Sequence, residues 1–304
     1  MSAEPQPISR EGARAPQVPD PIAKVRALAR PVAELRETLL SKVSAHHEDA
    51  SAATLVAAAF DFAVQAHGDQ VRASGEPYVT HPAEAALILA DLGLDATTLA
   101  AALLHDVPED TIITTTELGD RFGDEVATLV DGVTKLSKFS ALTAEEQHAE
   151  NIRKMFLAMS QDIRVVLIKL GDRLHNMRTL AALGVEKQRR IARQTLEIYA
   201  PLAERLGIWQ VKWELEDLAF KALEPERYHE LARLVDMRRD VRAAYVTRAI
   251  EVLRPELERA GIDAEFTGRA KHLYSIHKKM SRKNTDFSEI YDVFAIRIVV
   301  EDLR

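Results

Sequence analysis

His105 and Asp106 stand side by side at the end of an apolar helical run, Leu99-Ala-Ala-Ala-Leu-Leu104, and Val107-Pro-Glu-Asp110 follows at once. Four ionisable side chains in six residues thus fall where the pattern predicts a buried helix end. A buried charge without a partner is costly, and a bound cation is the least costly partner for such a cluster. A solvated aspartate at a helix C-terminus is the plainer alternative, but negative charge is unfavourable there. Two further candidate ligands lie far off in the chain: His81, 24 residues before His105, and Asp172, 66 residues after Asp106. Asp172 sits in the apolar stripe Val165-Val-Leu-Ile-Lys-Leu-Gly-Asp-Arg-Leu174, where it needs a metal or an ion pair with Lys169 or Arg173. Two imidazoles and two carboxylates, with no thiolate, suit a borderline divalent ion such as Mn2+, Fe2+ or Zn2+. Such an ion lowers the pKa of water and clamps a phosphoryl oxygen. Glu109 and Asp110, one turn further on, are placed to orient or deprotonate that water.

The elements that must position these groups are helical. Residues 1–23 carry five of the twelve prolines and form an expected disordered tail. From about 24 to 260 the chain reads as helix after helix. Leu55, Val56, Ala59, Phe60, Ala63 and Val64 repeat at helical spacing up to His67-Gly68. Gly68 to His81 reads as a loop. Pro82 suits the first turn of the next helix, which puts His81 at its lip in an extended conformation. Asp95 is the expected N-cap of the helix ending at His105-Asp106, which Pro108 bends or stops. Thr114-x-x-Glu117 has the form of a capping box. Asp162 caps a helix from Ile163 to about Thr179, in which Asp172 and Asn176 share a face. Helices over about 187–206, 209–223 and 226–260 follow, the last broken near Asp236. Beyond Gly261 the character changes. Residues 269–282 read as a short basic helix, and Phe294 to Val300 is the only convincing strand. One helix and one strand do not build a core, so the chain reads as stopping inside a second, α/β domain.

With 304 residues, 47% of them hydrophobic, there is room for about two domains. No stretch approaches the ~20 apolar residues of a membrane span, and no signal-peptide pattern opens the chain. The absence of cysteine removes disulfides and thiol catalysis, and fits a cytoplasmic protein. A net charge of −7 argues against a general nucleic-acid binder. No phosphate-binding loop, dinucleotide fingerprint, H-E-x-x-H or nucleophile elbow is present.

Several longer segments resemble one family. Val71-Arg-Ala-Ser-Gly-Glu-Pro-Tyr-Val-Thr-His-Pro82, Leu104-His-Asp-Val-Pro-Glu-Asp-Thr111 and Asp131-Gly-Val-Thr-Lys-Leu136 are similar to the hydrolase half of the RelA/SpoT-homologue enzymes of (p)ppGpp metabolism. So are Lys169-Leu-Gly-Asp-Arg-Leu-His-Asn-Met-Arg-Thr-Leu180, Ile198 to Gly207 and Lys212 to Phe220. The resemblance implies a mostly α HD-type phosphohydrolase domain over 24–223, a helical linker over 224–260 and the truncated start of a synthetase domain over 261–304. It implies Mn2+ held by His81, His105, Asp106 and Asp172, with Glu109 and Asp110 handling the attacking water. Arg72 would stack on guanine, with Ser74 and Asn176 contacting the nucleotide. The implied reaction is removal of the 3′-pyrophosphate of ppGpp or pppGpp in the stringent response. Two residues depart from the family pattern: Ala73 stands for a usual lysine, and Pro108 for a usual aliphatic residue.

The segments Thr267 to Met280 and Ile290 to Arg297 resemble the opening of the family's synthetase domain. By resemblance Arg269, Lys271, Ser275 and Lys279 would contact phosphates, and Asp292 would bind Mg2+ in a complete domain. Pyrophosphate transfer is not expected from the chain as it stands, nor are ribosome-sensing regulatory domains, a nucleic-acid partner or a membrane. Two alternatives stay open: an N-terminal fragment of a bifunctional synthetase/hydrolase, and a decayed domain that binds guanine nucleotides without turnover.

Overall fold

A computed structural model describes residues 30–46, 49–137, 161–236, 239–290 and 292–300, with backbone alone at 239–245, 267–270, 294 and 295. The expected tail over 1–23 lies outside the described residues. The first part of the fold runs α1 (Val32–His46), α2 (Ala50–His67), α3 (Thr80–Asp91), α4 (Ala96–Leu104) and the short α5 (Val107–Asp110). It continues through α6 (Thr115–Phe122), α7 (Asp124–Ser137), α8 (Ile163–Arg178), α9 (Val185–Gln194), α10 (Ala200–Arg205) and α11 (Trp209–Leu223). Then come α12 (Pro225–Asp236), α13 (Arg239–Arg259), β1 (Ala264–Ala270), α14 (Leu273–Lys283) and β2 (Phe294–Val300). The fold is mostly helical, as the sequence leads one to expect.

Three helices form the centre. Every residue of α4 from Thr98 to Leu104 is buried, as is nearly all of α3, because both are apolar around their whole circumference. α3, α4 and α8 pack on one another, with α1, α2 and α7 closing around them. Full burial of Leu99, Leu103 and Leu104 contributes about 1.5–3 kcal/mol each. Gly171 lets α8 approach α3 closely: a Cβ there would stand 3.2 Å from the Ala85 carbonyl oxygen and from the Leu89 side chain.

The local signals behave as chemistry dictates. Asp95 accepts from the Thr98 amide, Asp162 from the Arg164 amide, and Thr114 with Glu117 closes a reciprocal capping box. Between α9 and α10 the chain widens into a π turn, Thr195–Tyr199, just before Pro201. A proline there cannot supply the amide of a regular helix, and the wider turn accommodates the gap.

Four expectations are corrected. His81 is not extended: it is the second residue of α3, and Pro82, the third, lacks an amide that has no partner in a first turn anyway. Pro108 does more than stop α4: it sits at the start of α5, a new helical turn. Phe294–Val300 is not alone, for β1 pairs with it antiparallel, from Ala264 opposite Val300 to Ala270 opposite Phe294. The helix expected over 269–282 accordingly begins later, at Leu273.

α14 is attached to the helical body. Ile276 and Met280 of α14 share a small core with Phe220, Leu231, Phe287, Ile290 and Val293. Asp217 of α11 accepts hydrogen bonds from the Tyr274 amide at 2.8 Å and the Leu273 amide at 3.4 Å, capping α14 from another helix.

Candidate metal centre and adjoining cleft

Three elements bring the candidate ligands together: α3 carries His81, the turn after α4 carries His105 and Asp106, and α8 carries Asp172. His81 Nε2 lies 3.1 Å from Asp172 Oδ1 and 3.5 Å from Asp106 Oδ2, and His105 Nε2 lies 3.1 Å from Asp106 Oδ1. His81, His105 and Asp172 are buried, while Asp106 opens slightly to solvent. Ligand atoms of His81, His105 and Asp106 all lie within 4.8 Å of one another, whereas Asp172 stands outside that group and joins it through His81.

The donor chemistry fits a cation. His105 Nδ1 is 2.8 Å from the Ala102 carbonyl oxygen, so it must donate, which leaves Nε2 as the atom that takes a proton or a metal ion. That Nε2 is fully buried and faces Asp106 Oδ1. A lone pair against a carboxylate oxygen is repulsive unless a proton or a metal ion stands between them. Without a metal, burial alone would lower the His105 imidazole, but the Asp106 carboxylate outweighs it and holds the group up at about 9. Burial likewise works against ionised Asp106, yet His105 and His81 hold its carboxyl well below the usual range. Asp172 is buried still more deeply, and Lys169 above all keeps it ionised. Lys169 Nζ stands 2.6 Å from Asp172 Oδ2, so of the two partners expected for Asp172 it is lysine that serves. Arg173 instead donates to the Tyr199 hydroxyl at 2.9 Å and lies over its ring.

Glu109 and Asp110 sit on α5 at the rim. Partial withdrawal from solvent pushes the Glu109 carboxyl up, against the opposing influence of Lys169. Asp110 accepts a 2.6 Å hydrogen bond from the Tyr78 hydroxyl, whose oxygen is also 3.3 Å from Asp106 Oδ2.

A cleft of about 450 Å³ opens beside Asp172, lined by Arg72, Ala73, Ser74, Tyr78, Lys169 and Asn176 among others. Its wall is a tight loop in which the Arg72 amide bonds the Glu76 carbonyl and the Tyr78 amide the Gln70 carbonyl. Gly75 turns that loop with φ 83°, a left-handed conformation that favours glycine. Arg72 reaches Asn176 Oδ1 at 3.0 Å, and Asn176 in turn donates to Asp172. Ser74 is buried in the same wall.

Two residues are not legible in the sequence. Tyr78 touches Asp106 and Asp110, and His175 lies 2.7 Å from His81 through their Nδ1 atoms. Burial, with His81 and Arg72 close by, keeps the His175 imidazole well below its usual range. The basic positions near the C-terminus form a separate group. Lys271, Ser275, Lys279 and Asp292 line a second cleft of about 270 Å³, with Asp292 paired to both lysines. The side chain of Arg269 lies outside the described residues.

Residues 59–209 match the HD domain family, and residues 268–304 match a region found in RelA / SpoT proteins. A Synechocystis protein named probable guanosine-3′,5′-bis(diphosphate) 3′-pyrophosphohydrolase is 54% identical over 248 residues, 81% of this chain and 33% of that protein. The bifunctional (p)ppGpp synthase/hydrolase SpoT of Escherichia coli K12 is 51% identical over 244 residues, 80% of this chain and 35% of its own. A GTP pyrophosphokinase of Streptomyces coelicolor is 48% identical over 278 residues, 91% of this chain and 33% of its own. The chain therefore spans about a third of the length of these curated relatives.

Proposed function

Because the chain belongs to the RelA/SpoT family, we propose that it is a metal-dependent hydrolase that removes the 3′-pyrophosphate of ppGpp or pppGpp, yielding GDP or GTP and pyrophosphate. One observation carries this reading: ligand atoms of His81, His105 and Asp106 lie within 4.8 Å of one another, with Asp172 3.1 Å from His81, beside a cleft walled by Arg72, Ser74 and Asn176.

His81, His105, Asp106 and Asp172 hold the divalent cation, which we take to be Mn2+; nitrogen and oxygen donors without thiolate suit that choice. Such a cation, when bound, neutralises charge on phosphoryl oxygens and makes water a better nucleophile. Glu109 receives the proton of the attacking water at its carboxylate, a role that a carboxyl raised towards neutrality by burial serves well. Asp110, fixed by the Tyr78 hydroxyl, orients the same water. Water adds to the phosphorus bonded to the 3′-oxygen, that P–O bond breaks, and the 3′-oxygen takes up a proton. Arg72 offers a planar cation on which guanine stacks, while Ser74 and Asn176 contact the nucleotide. The substrate is a guanine nucleotide of the cytoplasm, and we place the protein there. We assign 24–223 to the hydrolase unit, 224–260 to a helical linker and 261–304 to the start of a synthetase unit.

Incubation of the chain with ppGpp and Mn2+, followed by anion-exchange separation of products, tests the assignment. GDP and pyrophosphate should appear, and Glu109→Gln should slow their release by about 10²–10⁴-fold. Release of inorganic phosphate instead, or no turnover, would overturn it.

A further inference from the structure

His175 has no part in the reading above, yet its Nδ1 faces two groups at once: Nδ1 of His81 at 2.7 Å and Nη1 of Arg72 at 3.1 Å. A guanidinium can only donate, so the contact with Arg72 requires a bare lone pair on His175 Nδ1. A bare Nδ1 on His175 then requires a proton on the His81 Nδ1 that faces it, since two lone pairs would repel at that distance. An imidazole that ligates a cation is neutral and carries a single N–H, so with Nδ1 protonated Nε2 of His81 is the atom left for the cation. That atom points at Asp172 and Asp106. The neighbouring residue repeats the logic with the other arm of the same guanidinium. Arg72 Nη2 donates to Asn176 Oδ1 at 3.0 Å, and Asn176 donates to Asp172 Oδ1. Two adjacent residues of α8 thus connect one arginine in the cleft to two of the four candidate ligands.

We infer that His175 is a positioning residue: held by Arg72, it fixes His81 in the tautomer whose Nε2 is free to bind a cation, and so ties the wall of the nucleotide cleft to the metal centre. This rests on the reading of His81, His105, Asp106 and Asp172 as ligands of one divalent ion. Groups behind a ligating imidazole set its ring orientation and basicity, and their loss weakens metal affinity by about 10–100-fold.

The test has two arms, both on the whole chain. In the protein loaded with diamagnetic Zn2+, ¹H–¹⁵N correlation of the imidazole nitrogens should show His81 protonated at Nδ1, and His175→Ala should weaken or shift that Nδ1–H signal. Mn2+ titration followed by electron paramagnetic resonance should show affinity falling about 10–100-fold in His175→Ala. His175→Asn, whose Oδ1 stands as many bonds from the backbone as the lost Nδ1, should restore most of it, and circular dichroism should show all three proteins folded. A Zn2+-loaded wild-type His81 protonated at Nε2, or unchanged Mn2+ affinity in a folded His175→Ala, overturns the inference. If His175→Ala and His175→Asn lose affinity equally, bulk packing rather than the acceptor is at work, and the inference again fails. A wild-type chain that binds no Mn2+ refutes the metal reading as well, whereas normal wild-type binding with an unaffected variant refutes this inference alone.

Discussion

The Lys169 ammonium lies 2.6 Å from the Asp172 carboxylate, one helical turn away on α8, and both side chains are almost entirely buried. This pairing explains how two carboxylates coexist at a buried centre before any cation arrives. Lys169 supplies one compensating charge for Asp172, and His105 supplies the other for Asp106. A divalent ion bound there takes the place of the His105 proton, which is released to solvent.

Breaking such a pair leaves an uncompensated buried charge, at a cost of about 3–5 kcal/mol. Lys169→Met should lower unfolding stability by that order in metal-free buffer, as measured by urea denaturation. Mn2+ should narrow the gap to wild type, because the cation takes over the neutralisation of Asp172. An equal gap with and without Mn2+ would show that Asp172 does not feel the ion.

Tyr78 stacks on His67, with ring centroids 4.7 Å apart, and directs its hydroxyl to Asp110. Tyr78→Phe keeps the stack and loses the hydrogen bond, worth about 0.5–1.5 kcal/mol in stability. Steady-state kinetics should show a lower kcat with KM little changed, since the loss falls on the orientation of Asp110. A kcat equal to wild type would remove Tyr78 from the catalytic arrangement.

Gly171 sits where α8 touches α3, next to Asp172 and across from the helix that carries His81. Gly171→Ala places a methyl 3.2 Å from the Ala85 carbonyl oxygen and the Leu89 side chain, so the helices must separate slightly. Overpacking of this kind costs about 1–3 kcal/mol. Thermal melting should register that loss, and Mn2+ affinity should fall with it, because the shift parts His81 from Asp172. Full stability with full affinity would mean that the two helices have room to spare.

Much of this site can be read from single residues because the signals are local. The caps Asp95, Thr114 and Asp162 act within three residues of themselves, and the charged turn after Leu104 interrupts an apolar run too strong to overlook. Asp172 declares itself for the same reason, as a carboxylate inside a buried stripe. His175 and Tyr78 were not legible, since what they do depends on partners 94 and 32 residues away. His81 was misplaced because a residue before proline avoids helical geometry, a preference that the packing of α3 against α4 and α8 overrides. β1 does alternate, with Ala264, Phe266 and Ala270 against Glu265, Thr267 and Arg269, but it holds a single large apolar residue. Its pairing draws on the Ile- and Val-rich β2, and that partner is invisible in the segment itself.

Glu109 offers a test by pH. Burial raises its carboxyl above the ordinary glutamate value of 4.5. In the metal-free chain, a carboxyl-carbon NMR titration assigned with Glu109→Gln should place its midpoint above that value. Mn2+ should move the midpoint down, since a nearby positive charge favours the ionised form. A midpoint at or below 4.5 without metal, or one indifferent to Mn2+, would argue against a base beside the ion.

The convergence of four side chains on one ion can be tested by crystallography of the chain grown with Mn2+, using anomalous scattering at the manganese edge. One anomalous peak is expected, bonded by Nε2 of His81, Nε2 of His105 and one oxygen each of Asp106 and Asp172. A peak bonded by other residues, or none in this pocket at saturating Mn2+, would contradict the account at its root.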